Sequence, residues 1–151
     1  MGCSIPARFG FKKEKRIDIG QSIIEYTKNK SMYLEGMCYN NAFLCMVNNV
    51  RTYNKNRVYI GYVLSTDGNR KVAVRHSWNK IGRDLVDVTM FANGESPISV
   101  LNYVYLPTAE YTPETYIAAV ESNNNLPCLP KNKAEYNYRS LLKSKGFEIL
   151  E

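Results

Sequence analysis

The sequence predicts an α+β fold in which three to four antiparallel strands form a meander that packs against helices. Three observations predict this class. A helically spaced apolar stripe runs from Cys38 to Val47, an Asp67-Gly68 pair separates two β-rich runs, and helix signals return at Thr112. The length of 151 residues fits a single domain, 1–151, with a hydrophobic core of its own.

The predicted helices are marked by start and end signals: 18–29, Cys38–Val47, Thr112–Val120 and Lys133–Lys145. Asp18 can cap the first helix. Pro113 occupies the first helical position of the third, where a missing N–H costs nothing. Gly146 is expected to end the last helix, because glycine readily adopts the left-handed conformation that follows a helix.

The predicted strands alternate with turn signals: Val58–Ser65, Lys71–Trp78, Leu85–Phe91 and Ile98–Leu106. An Asp-Gly pair is a strong hairpin signal, because both central residues of a type I′ turn need positive φ. We therefore place Asp67 and Gly68 at the centre of the first hairpin. Pro107 has no backbone N–H, and it is expected to end the fourth strand.

Basic residues crowd the first sixteen positions, residues 1–16, in a chain of formal net charge +6: Arg8, Lys12, Lys13, Lys15 and Arg16. Such an arm can contact nucleic acid or an acidic partner, although a solvated tail is the commoner interpretation. No RNA-recognition, zinc-finger or basic-zipper pattern follows it. A non-catalytic basic binding protein is therefore the alternative to the enzyme described below.

The cysteines and the hydropathy pattern restrict the chemistry and the compartment. The four cysteines form no C-x-x-C pair and the chain has one histidine, so neither a structural zinc site nor another cofactor is expected. No secretory apolar segment occurs, and no apolar run approaches the ~20 residues that span a bilayer. We expect no transmembrane segment and reduced thiols in a cytosol, the cell's own or a host's.

Cys38 is the predicted nucleophile because it opens the second predicted helix. A thiol attacks as the thiolate, and the unpaired N–H groups of a first helical turn stabilise negative charge. The alternative is a buried structural cysteine, since free cysteine is among the most buried residue types. For Cys45, two turns along the same stripe, the structural interpretation is favoured.

His76 is the single histidine, and the predicted strands place a carboxylate opposite it. If the second and third strands pair as a hairpin, His76 faces Asp87, with Cβ atoms ~4.5–5.5 Å apart. A carboxylate there can accept one imidazole N–H and leave the other nitrogen to face a nucleophile. A lone strand histidine is more often structural; this pairing favours a catalytic one.

The first hairpin brings further residues near the histidine. In the predicted register Tyr59 faces His76, and Gly61 lies diagonal to it. A glycine there leaves room for a backbone or a substrate to approach, or is simply a weak point in the strand. We predict that the substrate is lined by Tyr59, Gly61 and Trp78.

Four short motifs follow one another over about residues 36–91: Gly36-Met37-Cys38, Gly61-Tyr62, His76-Ser77-Trp78 and Asp87-Val88-Thr89. Together they resemble the transglutaminase-like core of the papain-related superfamily, which carries glycine-x-cysteine, glycine-tyrosine, histidine-x-tryptophan and aspartate-x-threonine in this order. The resemblance implies that Cys38 is the nucleophile, His76 the general base and acid, and Asp87 the residue that orients the imidazole.

The triad and the size are similar to those of bacterial effector deamidases, which convert protein glutamine to glutamate. The resemblance therefore implies acyl transfer at an amide of a protein or peptide substrate, by deamidation, transglutamination or peptide hydrolysis. The family's upstream oxyanion residue has no clear counterpart. Gln21 and Asn40 are candidates for it, together with the backbone N–H of Cys38.

Overall fold

The computed structural model describes residues 34, 36–48, 50–93 and 103–151. In chain order its elements are α1 (Cys38–Val47), a 3-10 turn (Tyr53–Lys55), β1 (Asn56–Asp67), β2 (Arg70–Ile81), β3 (Asp84–Val86), α2 (Val88–Ala92), β4 (Val104–Tyr111), α3 (Pro113–Ser122), α4 (Lys133–Ser144) and β5 (Phe147–Leu150). The predicted α+β class is confirmed. The basic arm 1–16, the predicted helix 18–29 and Gln21 lie outside the described residues.

The five strands form one sheet in the order β3-β2-β1-β4, with β5 also paired to β2. β5 and β3 share the edge of β2 that faces away from β1. β5 runs parallel to Lys71–Val74, and β3 runs antiparallel to Asn79–Ile81. Within the described part of the chain, residues 75–78 therefore have no strand neighbour on this edge. Helix α1 packs mainly against β2.

The first hairpin turn lies one residue later than predicted, at Gly68 and Asn69. Strand pairing closes at Asp67 and Arg70, and Gly68 has a φ of 61° that favours glycine. A turn shifted by one residue moves the pairing by two, so Gly61 rather than Tyr59 is the partner of His76. The prediction found the right hairpin with the wrong register.

The predicted third strand is wrong beyond Val86, because residues 88–92 form α2 instead. Asn79 pairs with Val86, and this register differs by two residues from the one that set His76 directly opposite Asp87. A shift of two residues keeps each side chain on its original face of the sheet. Asp87 follows the last residue of β3 and remains on the side of His76.

β4 pairs with the free edge of β1 and does not extend the meander. The predicted end at Pro107 is wrong, because β4 lies at a sheet edge, where a strand tolerates a missing N–H. The register shifts between Ile60 and Gly61, as in a β-bulge. Gly61 is required there, since an added Cβ would lie 2.1 Å from the carbonyl oxygen of Leu106.

The core occupies both faces of the sheet, because successive strand residues point to opposite faces. Under α1, α3 and α4, one face contributes Val58, Ile60, Tyr62 and Leu64. The other face contributes Val63, Trp78 and Tyr105, which pack with residues of β3 and α2. The second face, together with the edge of β2, carries the candidate site.

Candidate functional site

His76 and Asp87 form a buried hydrogen-bonded pair. The Nε2 atom of His76 lies 2.8 Å from Oδ2 of Asp87. The aspartate occupies the position before α2, and its Oδ1 accepts the backbone N–H of Met90 at 3.3 Å. This is the capping interaction that an aspartate commonly makes at a helix start. The carboxylate is thereby fixed between β3 and α2 and presents one oxygen to the imidazole.

Tyr105 is a third partner of this pair that the sequence did not identify. Its hydroxyl donates to Oδ2 of Asp87 at 2.7 Å, the same oxygen that contacts His76. Tyr105 lies on β4, distant in the chain from His76. The face of the sheet to which its side chain points depends on the pairing of β4 with β1 and on the bulge in that pairing. A tyrosine at an inward strand position is a weak signal, since such residues are usually core residues.

Two predicted substrate-lining residues support the histidine ring instead. Trp78 stacks on His76 with ring centroids 6.2 Å apart, and Tyr59 stacks on Trp78 at 5.9 Å. Gly61, the third, is covered by the β4 backbone. All three are absent from the lining of the cleft that reaches His76.

Cys38 is the first residue of α1, and its side chain is close enough to His76 to contribute to the raised pKa of the imidazole. Because Nε2 is engaged by Asp87, Nδ1 is the ring nitrogen left for the thiol. The structure thus brings the three predicted triad residues together at one site, although they lie on three separate segments.

Electrostatics favours a charged imidazole. Burial of the His76 ring lowers its pKa, but the Asp87 carboxylate and the side chain of Cys38 raise it more, so the pKa of His76 lies well above its usual value of 6.5. An imidazolium stabilises an adjacent thiolate, and this is how several cysteine enzymes activate their nucleophile.

A cleft of about 390 Å³ gives access to the thiol and the imidazole. Its walls include Val63, Val74, Met90 and Tyr103, whereas Asp87 lies behind His76. Asn40, a predicted oxyanion residue, is exposed and lines a separate cavity of about 340 Å³ with Met37 and Phe43. It is therefore not part of the cleft wall.

Arg75, the residue before His76, anchors the helix that carries Cys38. Its Nε and Nη2 atoms bind the two carboxylate oxygens of Glu135 on α4 at 2.6 and 3.0 Å, and both side chains are buried. Its Nη1 donates to the hydroxyl of Tyr39 at 3.0 Å. Cys38 and Tyr39 therefore contact the adjacent strand residues His76 and Arg75, which point to opposite faces of β2.

The segment before α1 is held by two asparagine side chains. Asn41 accepts the backbone N–H of Leu34 at 3.0 Å and donates to Oγ1 of Thr89 at 2.9 Å. Asn93, immediately after α2, accepts the backbone N–H of Gly36 at 3.0 Å. Gly36 has a φ of 73°, which glycine tolerates without strain. These contacts tie the approach to Cys38 to α2.

Among the residues that the structure describes, no group of three or more histidine, cysteine, aspartate or glutamate side chains could hold a metal ion. Every helix in the same part of the chain is too short or too polar to cross a membrane. Neither a protein-family model nor a curated protein matches the sequence, and no solved structure matches the chain.

Proposed function

We propose that the chain is a cysteine-dependent acyl-transfer enzyme that acts at an amide, with a Cys38–His76–Asp87 triad. The observation that carries the proposal is that the Cys38 thiol and the His76 imidazole line one cleft, while the imidazole is hydrogen-bonded to the Asp87 carboxylate behind it. The four motifs that resemble the transglutaminase-like core support the same residues in the same roles. A nucleophile at a helix start beside the histidine strand supports a papain-like core.

In the proposed mechanism the thiolate of Cys38 attacks the carbonyl carbon of the substrate amide. The imidazolium of His76 then gives its proton to the leaving nitrogen, so ammonia or an amine departs and a thioester remains on Cys38. Water, or an acceptor amine, gives a proton to the neutral imidazole and attacks the thioester. The carboxylic acid or the new amide leaves, and the thiolate–imidazolium pair is restored.

Asp87 acts on the imidazole throughout this cycle. By accepting from Nε2 it keeps Nδ1 directed to the sulfur and stabilises the positive ring. Tyr105 and the N–H of Met90 hold the carboxylate while His76 gains and loses its proton. No metal or cofactor takes part in the proposed reaction.

The preferred substrate is a glutamine side chain in a protein or peptide, deamidated to glutamate. The cleft volume of about 390 Å³ is within the range of small-ligand sites. Its apolar wall, with Val63, Val74 and Met90, suits the aliphatic part of such a side chain. Transglutamination and peptide hydrolysis are the sister reactions, which differ in the acceptor and in the amide attacked.

The test is intact-mass analysis of glutamine-containing peptides and proteins after incubation with the protein. Deamidation adds about one mass unit per modified glutamine, transglutamination joins two molecules, and hydrolysis yields fragments. Cys38→Ala should abolish the change. Cys128→Ala is the matched control, because Cys128 is an exposed thiol outside the triad. Equal activity of Cys38→Ala and the wild type would contradict the proposal.

A further inference from the structure

Acyl transfer at an amide passes through a tetrahedral intermediate whose oxyanion must be met by hydrogen-bond donors. This inference rests on the proposed function, because such an enzyme must supply hydrogen-bond donors to the oxyanion. The backbone N–H of Cys38 is one. The N-cap residue Met37 offers no side-chain acceptor, and the first intrahelical bond of α1 runs from the N–H of Asn41 to the carbonyl of Met37. Among the described residues nothing accepts from the N–H of Cys38.

The second donor is the side-chain amide of Asn93. Its Oδ1 accepts the backbone N–H of Gly36, and a backbone N–H can only donate, so the orientation of the amide is fixed. The Nδ2 group is then directed away from Gly36. No described residue accepts from it. Asn93 is exposed and lines the same cleft as Cys38 and His76.

The other amides near the site are already engaged. Nδ2 of Asn41 donates to Leu34 and to Thr89, and Nδ2 of Asn79 donates to Ala42 and to Asn56. Asn93 is therefore the asparagine that combines a fixed amide, an unused donor and a place on the cleft wall.

We propose that Nδ2 of Asn93 and the backbone N–H of Cys38 form the oxyanion hole. Asn93 has two roles in this arrangement: Oδ1 holds the segment that leads to the nucleophile, and Nδ2 stabilises the oxyanion. Neither Gln21 nor Asn40 is needed as the side-chain donor. Because Asn93 is a catalytic residue in this proposal, its removal should slow reactions that form an oxyanion and spare those that do not.

Two reagents separate these cases at the same sulfur without requiring the natural substrate. p-Nitrophenyl acetate acylates a thiol through an oxyanion, whereas iodoacetamide alkylates it by direct displacement without one. The full chain is treated with each reagent and then digested, and the rate of each reaction at Cys38 is followed by mass analysis of the peptide that contains it. The ratio of acylation to alkylation corrects for any change in the reactivity of the thiol itself.

The variants separate the two roles of the amide. Asn93→Asp keeps an oxygen for the N–H of Gly36 and removes the Nδ2 donor, whereas Asn93→Ala removes both. Loss of one oxyanion donor typically costs about 10²–10³-fold, and we expect the ratio to fall by about that factor in both variants. Asn40→Ala, which removes an exposed amide that lines the separate cavity, should leave the ratio unchanged.

Each other outcome overturns the assignment. An unchanged ratio in both variants, with Cys38 still acylated, removes Asn93 from the oxyanion hole and leaves the proposed function intact. A fall in Asn93→Ala alone shows that only the contact with Gly36 matters. A parallel fall of both rates shows that Asn93 merely positions the thiol. If wild-type Cys38 reacts with neither reagent, the proposed function fails together with this inference.

Discussion

Removing the carboxylate of Glu135 should strongly destabilise the fold. Glu135 is 2% exposed and Arg75 is 6% exposed, so the buried positive charge of the guanidinium depends on the Glu135 carboxylate for neutralisation. Glu135→Ala deletes two hydrogen bonds to Arg75, at 2.6 and 3.0 Å, and one from Tyr62 at 2.8 Å. Leaving a buried charge without its partner typically costs about 3–5 kcal/mol, and we expect a loss of this size in the free energy of unfolding.

Urea unfolding followed by fluorescence measures this loss directly. Trp78 is the single tryptophan, and it packs against His76, Tyr59 and Tyr105 beside the site. A matched control is Glu148→Ala, which breaks an ion pair with Arg70 whose side chains are about half exposed. Exposed ion pairs contribute about 0–1 kcal/mol to stability, so this variant should unfold at nearly the same urea concentration as the wild type.

A double variant tests the reason for the loss. Replacing Arg75 and Glu135 together by Met and Leu removes the charge along with its partner, and such replacements are often neutral or stabilising. We expect the double variant to recover most of the stability lost in Glu135→Ala. If Glu135→Ala unfolds at the same urea concentration as Glu148→Ala, the buried pair does not anchor α4 to β2 in the way described.

Four further predictions follow from the same contacts. Cys38→Ala and His76→Ala should each abolish turnover, and the double variant should be no worse than either. Asp87→Asn should lose less turnover, and the corresponding change in a serine triad costs ~10⁴-fold. Kinetics of these four variants would show whether the losses add. Because the pKa of His76 is raised in the folded state, the protonated ring stabilises the fold fully below pH 6.5, and this contribution is lost as pH rises through the raised pKa. The difference in stability between wild type and His76→Gln, measured by urea unfolding, should therefore shrink at alkaline pH. Tyr105→Phe should cost about 1.5–3 kcal/mol in urea unfolding, the contribution of a hydrogen bond to a charged group; Tyr116→Phe, which removes a buried hydroxyl without a partner in the described structure, should cost nothing, and equal costs would contradict the role given to Tyr105. Charge reversal of Arg8, Lys12, Lys13, Lys15 and Arg16 should leave amide turnover intact; loss of biological function in that variant, with Cys38→Ala fully functional, would favour a basic binding protein.

Local signals predicted the elements whose ends are determined by neighbouring residues. α1 has the predicted bounds, Cys38–Val47, because the apolar stripe and the following asparagines act within a few residues. Thr112 caps α3 by accepting the N–H of Thr115, as the Thr-Pro pair indicated. Gly146 has a φ of 85° just after α4. None of these features requires information about the rest of the fold.

Features that depend on distant parts of the chain were not predicted. β5 pairs in parallel with β2, and nothing in its four residues separates it from an irregular end. Glu135 lies on a helix of mainly polar residues, and only the packing of α4 on Arg75 buries it. A charged residue within the apolar strand around Arg75 was the available signal, because such residues are rarely buried without a partner. The sequence around Asn93 carried no such signal, because the contact of its side chain with Gly36 depends on the folded position of a distant segment.

The contact between His76 and Asp87 was predicted from a register that the structure does not have. It was found nevertheless because the error in the register was two residues. Side chains alternate with a period of two along a strand, so an even shift preserves the face and an odd shift reverses it. The face of a residue is therefore predicted more reliably than its partner. The hydrogen bond itself depends on the end of β3 at Val86, since Asp87 can then cap α2 and reach His76 at the same time.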